Sequence, residues 1–284
     1  MAQIIDGKKI AQEERKKIKA ETIALINDRG ITPGLAVIIV GENPASQVYV
    51  RNKRKACEEV GFLSRVYELP VSTTQTELNA LIDTLNADPA IHGILCQLPL
   101  PAHLSDNEVI ARISPEKDVD AFHTQNVGKI MLGEYDYLPC TPAGVMVLLK
   151  ESGIRIDGKE CVILGRSNIV GKPMAMLLLQ ANGTVTVCHS HTQDLSAVTK
   201  RADILVVAIG KANFVTADMI KPGAVVIDVG MNRDSEGKLC GDVDFASAEL
   251  IASAITPVPG GVGPMTITML LRNTLTAARK SIAV

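Results

Sequence analysis

Short runs of β-branched and aliphatic residues alternate with segments of helical periodicity along almost the whole chain. Leu35–Val40 (LAVIIV) is one such run, and residues 160–164 (ECVIL) form another. Runs of this kind are typical of strands that are buried in a parallel sheet. Because the strands alternate with helical segments, the sequence predicts an α/β protein with a parallel sheet.

The alternation runs in two series, and 284 residues are enough for two domains. We expect an N-terminal α/β domain over 1–138, a Rossmann-type dinucleotide-binding domain over 139–264 and a cleft between them for the ligands. A terminal helix over 265–284 should pack back on the first domain. The predicted strands lie near 35–40, 63–69, 91–97, 160–164, 184–188, 203–209 and 224–229, and helices near 7–30, 44–60, 74–87, 142–152 and 172–182.

Composition and charge exclude several classes of protein. Hydrophobic residues make up 46% of the chain and charged residues 21%, which is typical of a globular protein and not of a disordered one. A net charge of -2 gives no reason to expect a nucleic-acid or membrane partner. The N-terminus resembles no signal peptide, and the six cysteines are scattered without a CxxC pair. We therefore expect reduced thiols and a cytoplasmic protein.

A turn with glycine at both ends, Gly165 to Gly171 (GRSNIVG), follows the strand at 160–164. Ser167 replaces the second glycine of a GxGxxG motif, but the turn still leads from a strand into a helix N-terminus, whose N–H groups can hold a phosphate. NAD sites usually place a carboxylate near the end of the next strand, for the ribose 2′-hydroxyl. No carboxylate occurs there before Asp194, and Arg166 can pair with a 2′-phosphate. The pattern favours NADP, and the alternative is a polar turn that binds nothing.

Tyr49 and Lys53 are four residues apart in the helix that Asn43 and Pro44 should begin. Residues at this spacing share one helix face. Taken alone, a tyrosine and a lysine on a helix are more often surface residues than catalytic ones. The pair therefore needs further residues to support a functional interpretation.

Three other segments supply that support. Gln97 follows a buried strand, at the edge where open α/β sheets bind ligands. The segment KDVDAFH brings two carboxylates, of which we interpret Asp118 as a turn or cap residue and Asp120 as a candidate site residue. The loop PVPGGVGPMT is rich enough in glycine for its backbone to approach a flat ligand, although a tight linker between domains is the alternative.

Together these segments resemble the methylenetetrahydrofolate dehydrogenase/methenyltetrahydrofolate cyclohydrolase family. The similarity follows the family's motifs in order over nearly the whole chain: GENPAS with YVRNK, QLPLP, KDVD, PCTP, GRSxxVGxP, CHS, DVG and PGGVGPMT. The resemblance implies a bifunctional enzyme of one-carbon metabolism and purine biosynthesis. Such an enzyme oxidises 5,10-methylenetetrahydrofolate with NADP and hydrolyses the 5,10-methenyl product to 10-formyltetrahydrofolate.

The resemblance also implies a role for each matching residue. Lys53 would be the catalytic lysine, Tyr49 would stack on the folate, Gln97 would hydrogen-bond Lys53, and Asp120 would anchor the amino edge of the pterin. The remaining matches would hold the NADP phosphates and ribose (Gly165, Arg166, Ser167, Gly171 and Ser190) or line the folate side of the cleft (Pro259, Gly260 and Gly261).

Two positions depart from the family's pattern. Ala121 stands where glycine is usual, and His191 stands where arginine or lysine is frequent, which makes a contact to the 2′-phosphate sensitive to pH. No metal is expected, because the five histidines have no spacing typical of ligands. The resemblance further implies a homodimer.

Two other functions remain alternatives at this point. One is a monofunctional NADP dehydrogenase for another small substrate, and the other is a dinucleotide-binding sensor without turnover. Folate-dependent reduction of NADP separates the first from the predicted enzyme, and loss of function on replacing Lys53 separates the second.

Overall fold

A computed structural model describes residues 2–282; the side chains of residues 44–46 lie outside this description, as do residues 283–284 of the predicted terminal helix. The chain divides into two compact units. Unit 1 comprises Met1–Gln12 and Thr141–Thr266, and unit 2 comprises Glu13–Cys140 and Ile267–Val284. Each unit contains a parallel sheet with helices, so the predicted α/β class is confirmed.

The described helices are α1 (Gly7–Arg29), α2 (Pro44–Val60), α3 (Gln75–Ala87), α4 (Asp106–Arg112), α5 (Thr124–Leu132), α6 (Cys140–Glu151), α7 (Gly171–Gln180), α8 (Leu195–Thr199), α9 (Phe245–Ala248) and α10 (Val262–Lys280). The strands are β1 (Gln3–Ile4), β2 (Gly34–Val40), β3 (Leu63–Leu69), β4 (Gly93–Cys96), β5 (Glu160–Leu164), β6 (Thr184–Cys188), β7 (Ile204–Val207), β8 (Val225–Asp228), β9 (Asn232–Arg233), β10 (Leu239–Cys240) and β11 (Ala254–Ile255). None of these helices is long and apolar enough to cross a membrane.

Unit 1 is built on a parallel sheet with the strand order β1-β11-β8-β7-β5-β6 among the described residues. The strands β7 and β8 are buried along their whole length, which explains their continuous aliphatic sequences. From β5 the chain adds β6 on one side and then crosses to add β7 on the other. This reversal is the topological switch point of a doubly wound fold.

Residues 2–12 lie in a different unit from the one that the sequence predicts. The prediction places them in the N-terminal domain, but β1 pairs in parallel with β11 of unit 1. Ile5 N donates to Ile255 O at 2.9 Å, which continues this pairing. A strand of two residues has no periodicity, so only its distant partner reveals it.

Unit 2 contains a parallel sheet in the order β3-β2-β4. Strand β2 is buried throughout, while β3 lies at the edge and is partly exposed. Leu78 and Ile82 of α3 pack with Ile38 in its core. The C-terminal part of α10 belongs to the same unit, and its Arg272 makes two hydrogen bonds to the Glu21 carboxylate, at 2.7 and 2.8 Å.

Two helices of unit 2, α4 and α5, lie in a stretch for which the sequence predicts no element. Both are short, and their starts are capped by Ser105 and His123, which accept hydrogen bonds from backbone N–H groups. Strand β4 is also shorter than predicted, Gly93–Cys96 instead of 91–97. Capping by single side chains and the ends of pairing are decided by local geometry, which hydrophobic periodicity does not show.

Candidate active site

Lys53 lies on α2 with its side chain buried in unit 2. The residue is only 8% exposed, and its Nζ donates a hydrogen bond to Gln97 Oε1 at 2.9 Å. Gln97 follows β4 directly, and its Nε2 donates to the Leu98 carbonyl oxygen at 2.8 Å. Because its NH₂ group is held by that carbonyl, the oxygen of the Gln97 amide is turned toward Lys53. The structure therefore shows the hydrogen bond that the resemblance implies.

Burial lowers the pKa of Lys53, although the charge of Asp120 acts in the opposite direction. A lysine that loses water of hydration favours its neutral form. A neutral amine that still has a hydrogen-bond partner can accept a proton near neutral pH. The surroundings of Lys53 thus suit acid–base chemistry better than a surface salt bridge.

Asp120 is the carboxylate that acts on Lys53. Burial raises the pKa of Asp120 to about 6; the charge of Lys53 opposes this rise and that of Asp118 adds to it. The Cys140 thiol lies 3.6 Å from Asp120 Oδ1 and donates to it. The residue as a whole is partly exposed.

Asp118 organises the backbone around Asp120. Its Oδ2 accepts hydrogen bonds from the His123 backbone N–H at 2.8 Å and from Asn126 Nδ2 at 2.9 Å. These bonds give Asp118 the turn role predicted for it. Ala121, the residue after Asp120, has a φ of 59°, a left-handed conformation that costs any residue except glycine energy. The departure from the family's glycine therefore falls where glycine would be least strained.

Tyr49 lies one helical turn before Lys53 on α2, as its spacing predicts. It is half-buried, and burial raises the pKa of its hydroxyl, so the phenol stays neutral in the physiological range. Tyr49, Lys53, Gln97 and Asp120 all belong to unit 2. The structure shows a hydrogen bond between Lys53 and Gln97, and the charge of Asp120 acts on the pKa of Lys53.

Two residues for which the sequence predicts no role support Asp120. Asn273 Nδ2 donates to the carbonyl oxygens of Val119 and Leu138, at 2.8 Å each. The buried Cys140 thiol donates to Val119 O at 3.4 Å as well as to Asp120. The PCTP motif contains Cys140 and could have indicated it, but nothing in the sequence links Asn273 to residues more than a hundred positions away.

In the GRSNIVG turn of unit 1, the two glycines lie so close to other backbone atoms that neither has space for a side chain. A Cβ on Gly165 would lie 2.2 Å from the Ala208 carbonyl oxygen, and one on Gly171 would lie 2.2 Å from the Gly165 carbonyl oxygen. Ser167 Oγ accepts hydrogen bonds from Val170 N at 3.2 Å and Gly171 N at 3.4 Å, which fixes the entry into α7. A tight glycine cradle before a helix N-terminus fits the phosphates of a dinucleotide.

Arg166 and Ser190 lie at the same edge of the sheet as this turn. The parallel strands β5 and β6 end in register, Leu164 opposite Cys188, and Gly165 N donates to Cys188 O at 2.9 Å. Both side chains are exposed and available to a ligand. His191 is exposed too, and its ring contacts that of His189 edge to face, with 6.0 Å between ring centroids.

The PGG segment, Pro259 to Gly261, belongs to unit 1 and packs on the start of α1. Lys8 N donates to Gly260 O at 3.1 Å, and a Cβ on Gly7 would lie 1.8 Å from Gly261 O. Gly260 has a φ of 112°, which side chains other than that of glycine rarely allow. The glycines of this loop therefore serve close backbone packing within unit 1.

Neither disulfides nor metal clusters account for the cysteines and histidines of the described residues. All six cysteines are free thiols, and all but Cys240 are buried. No group of three or more His, Cys, Asp or Glu side chains is arranged to hold a metal ion in the described part of the chain.

Comparison with known protein families matches both halves of the chain. Residues 5–120 match the catalytic domain of tetrahydrofolate dehydrogenase/cyclohydrolase, and residues 139–282 match the NAD(P)-binding domain of the same enzymes. The protein named Bifunctional protein FolD from Acidovorax sp. (strain JS42) is 61% identical over 280 residues, which cover 98% of this chain and 99% of the relative.

Solved structures are similar over the same length. The bifunctional methylenetetrahydrofolate dehydrogenase/cyclohydrolase FolD from Campylobacter jejuni superposes with a TM-score of 0.96 at 52% identity and covers 99% of both chains. The Trypanosoma brucei enzyme, solved with NADP cofactor and an inhibitor, gives a TM-score of 0.95 at 43% identity and covers 100% of this chain and 99% of that one.

Proposed function

This chain belongs to the tetrahydrofolate dehydrogenase/cyclohydrolase family, and we propose that Lys53 is the catalytic residue on which its hydrolytic reaction depends. The protein oxidises 5,10-methylenetetrahydrofolate with NADP and hydrolyses the resulting 5,10-methenyltetrahydrofolate to 10-formyltetrahydrofolate. The monofunctional dehydrogenase and the sensor without turnover are therefore set aside. The assignment of individual residues to the two reactions is the proposal.

The hydrolysis needs proton transfers that a buried lysine can perform. NADP, when bound, accepts the hydride that leaves the methylene carbon, and the folate product is a methenyl cation. Water adds to this carbon and loses a proton. The bond from the carbon to N5 then breaks as N5 gains a proton and the hydroxyl loses one, so one proton is released overall. Lys53, with its lowered pKa, accepts and returns these protons and orients the substrate in the oxidation.

In this proposal Gln97 positions Lys53, while Asp120 and Tyr49 bind the substrate. Gln97 keeps the amine in place through its 2.9 Å hydrogen bond. Asp120 accepts hydrogen bonds from the amino edge of the pterin, and the half-buried ring of Tyr49 stacks on the folate. The observation that carries the proposal is the burial of Lys53 beside a polar group that is itself fixed by hydrogen bonding.

The cofactor is held by the residues that surround the GRSNIVG turn. The backbone of the turn at Gly165 and Gly171 leaves room for the cofactor to approach closely, and the side chains of Arg166, Ser167 and Ser190 bind the phosphates and ribose of NADP. The glycine cradle and the exposure of Arg166 and Ser190 support this assignment. Pro259, Gly260 and Gly261 contribute to the binding of the folate substrate, as the resemblance implies. We thus assign folate binding to the N-terminal domain and NADP binding to the Rossmann-type domain.

We further propose a cytoplasmic homodimer that supplies one-carbon units for purine biosynthesis. The free, buried cysteines favour a reducing compartment. Strand β6 ends the sheet of unit 1 and has partly exposed residues, so the Rossmann-type domain is a reasonable place for the dimer contact. Light scattering coupled to size exclusion measures the mass, and a monomer at micromolar concentration would contradict the dimer.

The test of the catalytic lysine is the pair of variants Lys53→Met and Lys55→Met, assayed for both activities. Lys55 is an exposed lysine on the same helix, so its replacement controls for the loss of charge. We expect Lys53→Met to lower the hydrolysis of added methenyltetrahydrofolate at least about 100-fold, the lower end of what a positioned acid–base group contributes. Lys55→Met should hydrolyse it normally. Normal hydrolysis by folded Lys53→Met would refute the assignment.

A further inference from the structure

The loop after β7, residues 208–213, lies at the topological switch point of the sheet in unit 1. Strand β7 is the neighbour of β5 on the side opposite β6. Ala208 N donates to Leu164 O at 2.8 Å, and the Ala208 carbonyl oxygen is the atom that a Cβ on Gly165 would meet. Open α/β sheets bind ligands beyond the carboxyl ends of the strands at the switch point, and this loop lies there beside Gly165 of the proposed NADP site.

One buried carboxylate, that of Asp242, holds this loop by its backbone. Asp242 Oδ2 accepts hydrogen bonds from Ile209 N at 2.6 Å and Gly210 N at 3.0 Å. Its Oδ1 accepts from Lys211 N at 2.8 Å and from Asn232 Nδ2 at 2.8 Å. Three consecutive N–H groups that converge on one point form an anion-binding concavity, and here the protein's own side chain fills it.

The neighbouring carboxylate of Asp228 fixes the segment that carries Asp242. Asp228 Oδ1 accepts from Asp242 N at 3.0 Å, and its Oδ2 accepts from Val243 N at 2.9 Å. The packing leaves no space for side chains, since a Cβ on Gly230 would lie 2.3 Å from Asp242 Oδ1 and one on Gly241 would lie 1.8 Å from Asp228 Oδ2. The position of Asp242 is therefore fixed in two ways, by the hydrogen bond of its own backbone N–H to Asp228 and by the hydrogen bonds of its carboxylate to the loop.

We propose that Asp242 is a positioning residue for the binding of NADP. Its carboxylate holds the loop 208–213 against the GRSNIVG turn, and the residue takes no part in the hydrolysis. Because Asp242 already occupies the N–H groups of Ile209, Gly210 and Lys211, these three groups do not bind the phosphates of NADP directly. The loop contributes the form of the site, and that form depends on both acceptor oxygens of Asp242. The inference rests on the proposed assignment of that turn to NADP.

A comparison of the dehydrogenase reaction with the hydrolysis distinguishes this role from a general effect on folding, because only the dehydrogenase reaction uses NADP. Asp242→Asn has the same shape but replaces one acceptor oxygen with an NH₂ group, which then faces backbone N–H donors. We expect the KM for NADP in the dehydrogenase reaction to rise at least about tenfold, which corresponds to about 1.4 kcal/mol. Hydrolysis of added methenyltetrahydrofolate, which uses no NADP, should keep its kcat and KM.

Asp203→Asn is the matched control. Asp203 precedes β7 at the opposite edge of the same sheet, where it accepts from Glu160 N at 3.0 Å and pairs with Lys221 at 2.7 Å. Its replacement also removes an acceptor of a backbone N–H, so it should lower the melting temperature without changing the KM for NADP. Asn232→Ala removes one donor to Asp242 and serves as a milder variant, with an expected rise in that KM of about two- to fivefold, an order-of-magnitude value for one hydrogen bond.

Two results would overturn the proposal. One is an unchanged KM for NADP in Asp242→Asn and Asn232→Ala that still hydrolyse methenyltetrahydrofolate. The other is an equal loss of both activities in the two variants, which would show a structural role only. Arg166→Ala distinguishes failure of this inference from failure of the proposed NADP site: if the site is correct, Arg166→Ala raises the KM for NADP whatever Asp242 does.

Discussion

The functional regions of the two units are made of different chemical groups. In unit 2 the region consists of polar side chains withdrawn from water, and the pKa values of Lys53 and Asp120 are shifted as a result. In unit 1 the proposed NADP site is shaped by backbone at positions without side chains, such as Gly165 and Gly171, beside exposed polar side chains. Proton transfer needs titratable groups, whereas a dinucleotide phosphate needs N–H groups at close range, so the two tasks impose opposite demands on the sequence.

The largest expected effect comes from adding one methyl group to the backbone cradle. Gly171→Ala would place a Cβ 2.2 Å from the Gly165 carbonyl oxygen, and backbone cannot move aside cheaply. We expect kcat/KM for NADP to fall more than about 100-fold and the free energy of unfolding to fall by about 3 kcal/mol. Steady-state kinetics and urea unfolding measure the two quantities.

Gly128→Ala is the control for this prediction, because Gly128 lies within α5 and a Cβ there would meet nothing within 4 Å. It should stabilise the protein by about 0.5–1 kcal/mol through helix propensity. Unchanged NADP kinetics in Gly171→Ala would break the contrast between a backbone site and a side-chain site.

The next largest effect comes from a side-chain oxygen in unit 2. Gln97→Leu removes the hydrogen-bond acceptor of Lys53 Nζ. A hydrogen bond to a charged group is worth about 1.5–3 kcal/mol, so we expect hydrolysis to slow about 10- to 100-fold while the KM for NADP stays constant. Gln97→Glu keeps the acceptor but adds a negative charge, which raises the pKa of Lys53 and moves the limb of the hydrolysis pH–rate profile that reports Lys53 to higher pH. A rise in the KM for NADP in either variant would show that the two regions are not separable.

The acid side of the pH–rate profile should report Asp120. Its pKa is raised to about 6, and only the ionised carboxylate accepts hydrogen bonds from the pterin amino group. We therefore expect kcat/KM for the folate substrate to rise through about pH 6 and to be about tenfold lower at pH 5 than at pH 7. Asp120→Asn should be slower and should lose this acid limb. Retention of the limb in Asp120→Asn would assign it to another group.

The same raised pKa has a consequence for stability with a definite sign. The contribution of Asp120 to stability is fully present below its unfolded pKa of about 3.9 and is lost as pH rises through its folded pKa of about 6. Asp120→Asn should therefore gain stability relative to the unchanged protein when urea unfolding is measured at pH 7 instead of pH 4.

The smallest effect is expected at Ala121, where a side chain occupies a conformation suited to glycine. Ala121→Gly relieves the strain at φ 59° but makes the unfolded chain more flexible, so the net gain should be about 0.5–1 kcal/mol. Ala80→Gly, on the exposed side of α3, should instead cost about 1 kcal/mol. Thermal unfolding compares the two, and equal losses would mean that the turn tolerates alanine without strain.

The sequence by itself determined the α/β class and the strands of both series, and it placed Lys53 on a helix face and Gln97 at a strand end; their pairing came from the resemblance to the family. These features depend on patterns within a few residues: aliphatic runs for β2 and β5, a helical spacing for Tyr49 and Lys53, a glycine turn between strand and helix. The predicted strands at 63–69, 160–164 and 184–188 agree with β3, β5 and β6 residue for residue. Local patterns suffice for β5 because its residues are mostly buried, and for the partly exposed β3 and β6 because β-branched and apolar residues recur between turn signals.

Only the tertiary structure decided which distant segments support these features. Strand β1 finds β11 across some 250 residues, Asn273 reaches the carbonyl groups beside Asp120, and Asp242 holds the loop after β7. Each depends on hydrogen bonds in which at least one partner is a backbone N–H or carbonyl group, and nearly every residue carries such groups whatever its side chain. Because such hydrogen bonds hardly affect composition or periodicity, the remote partner can be identified only from the tertiary structure.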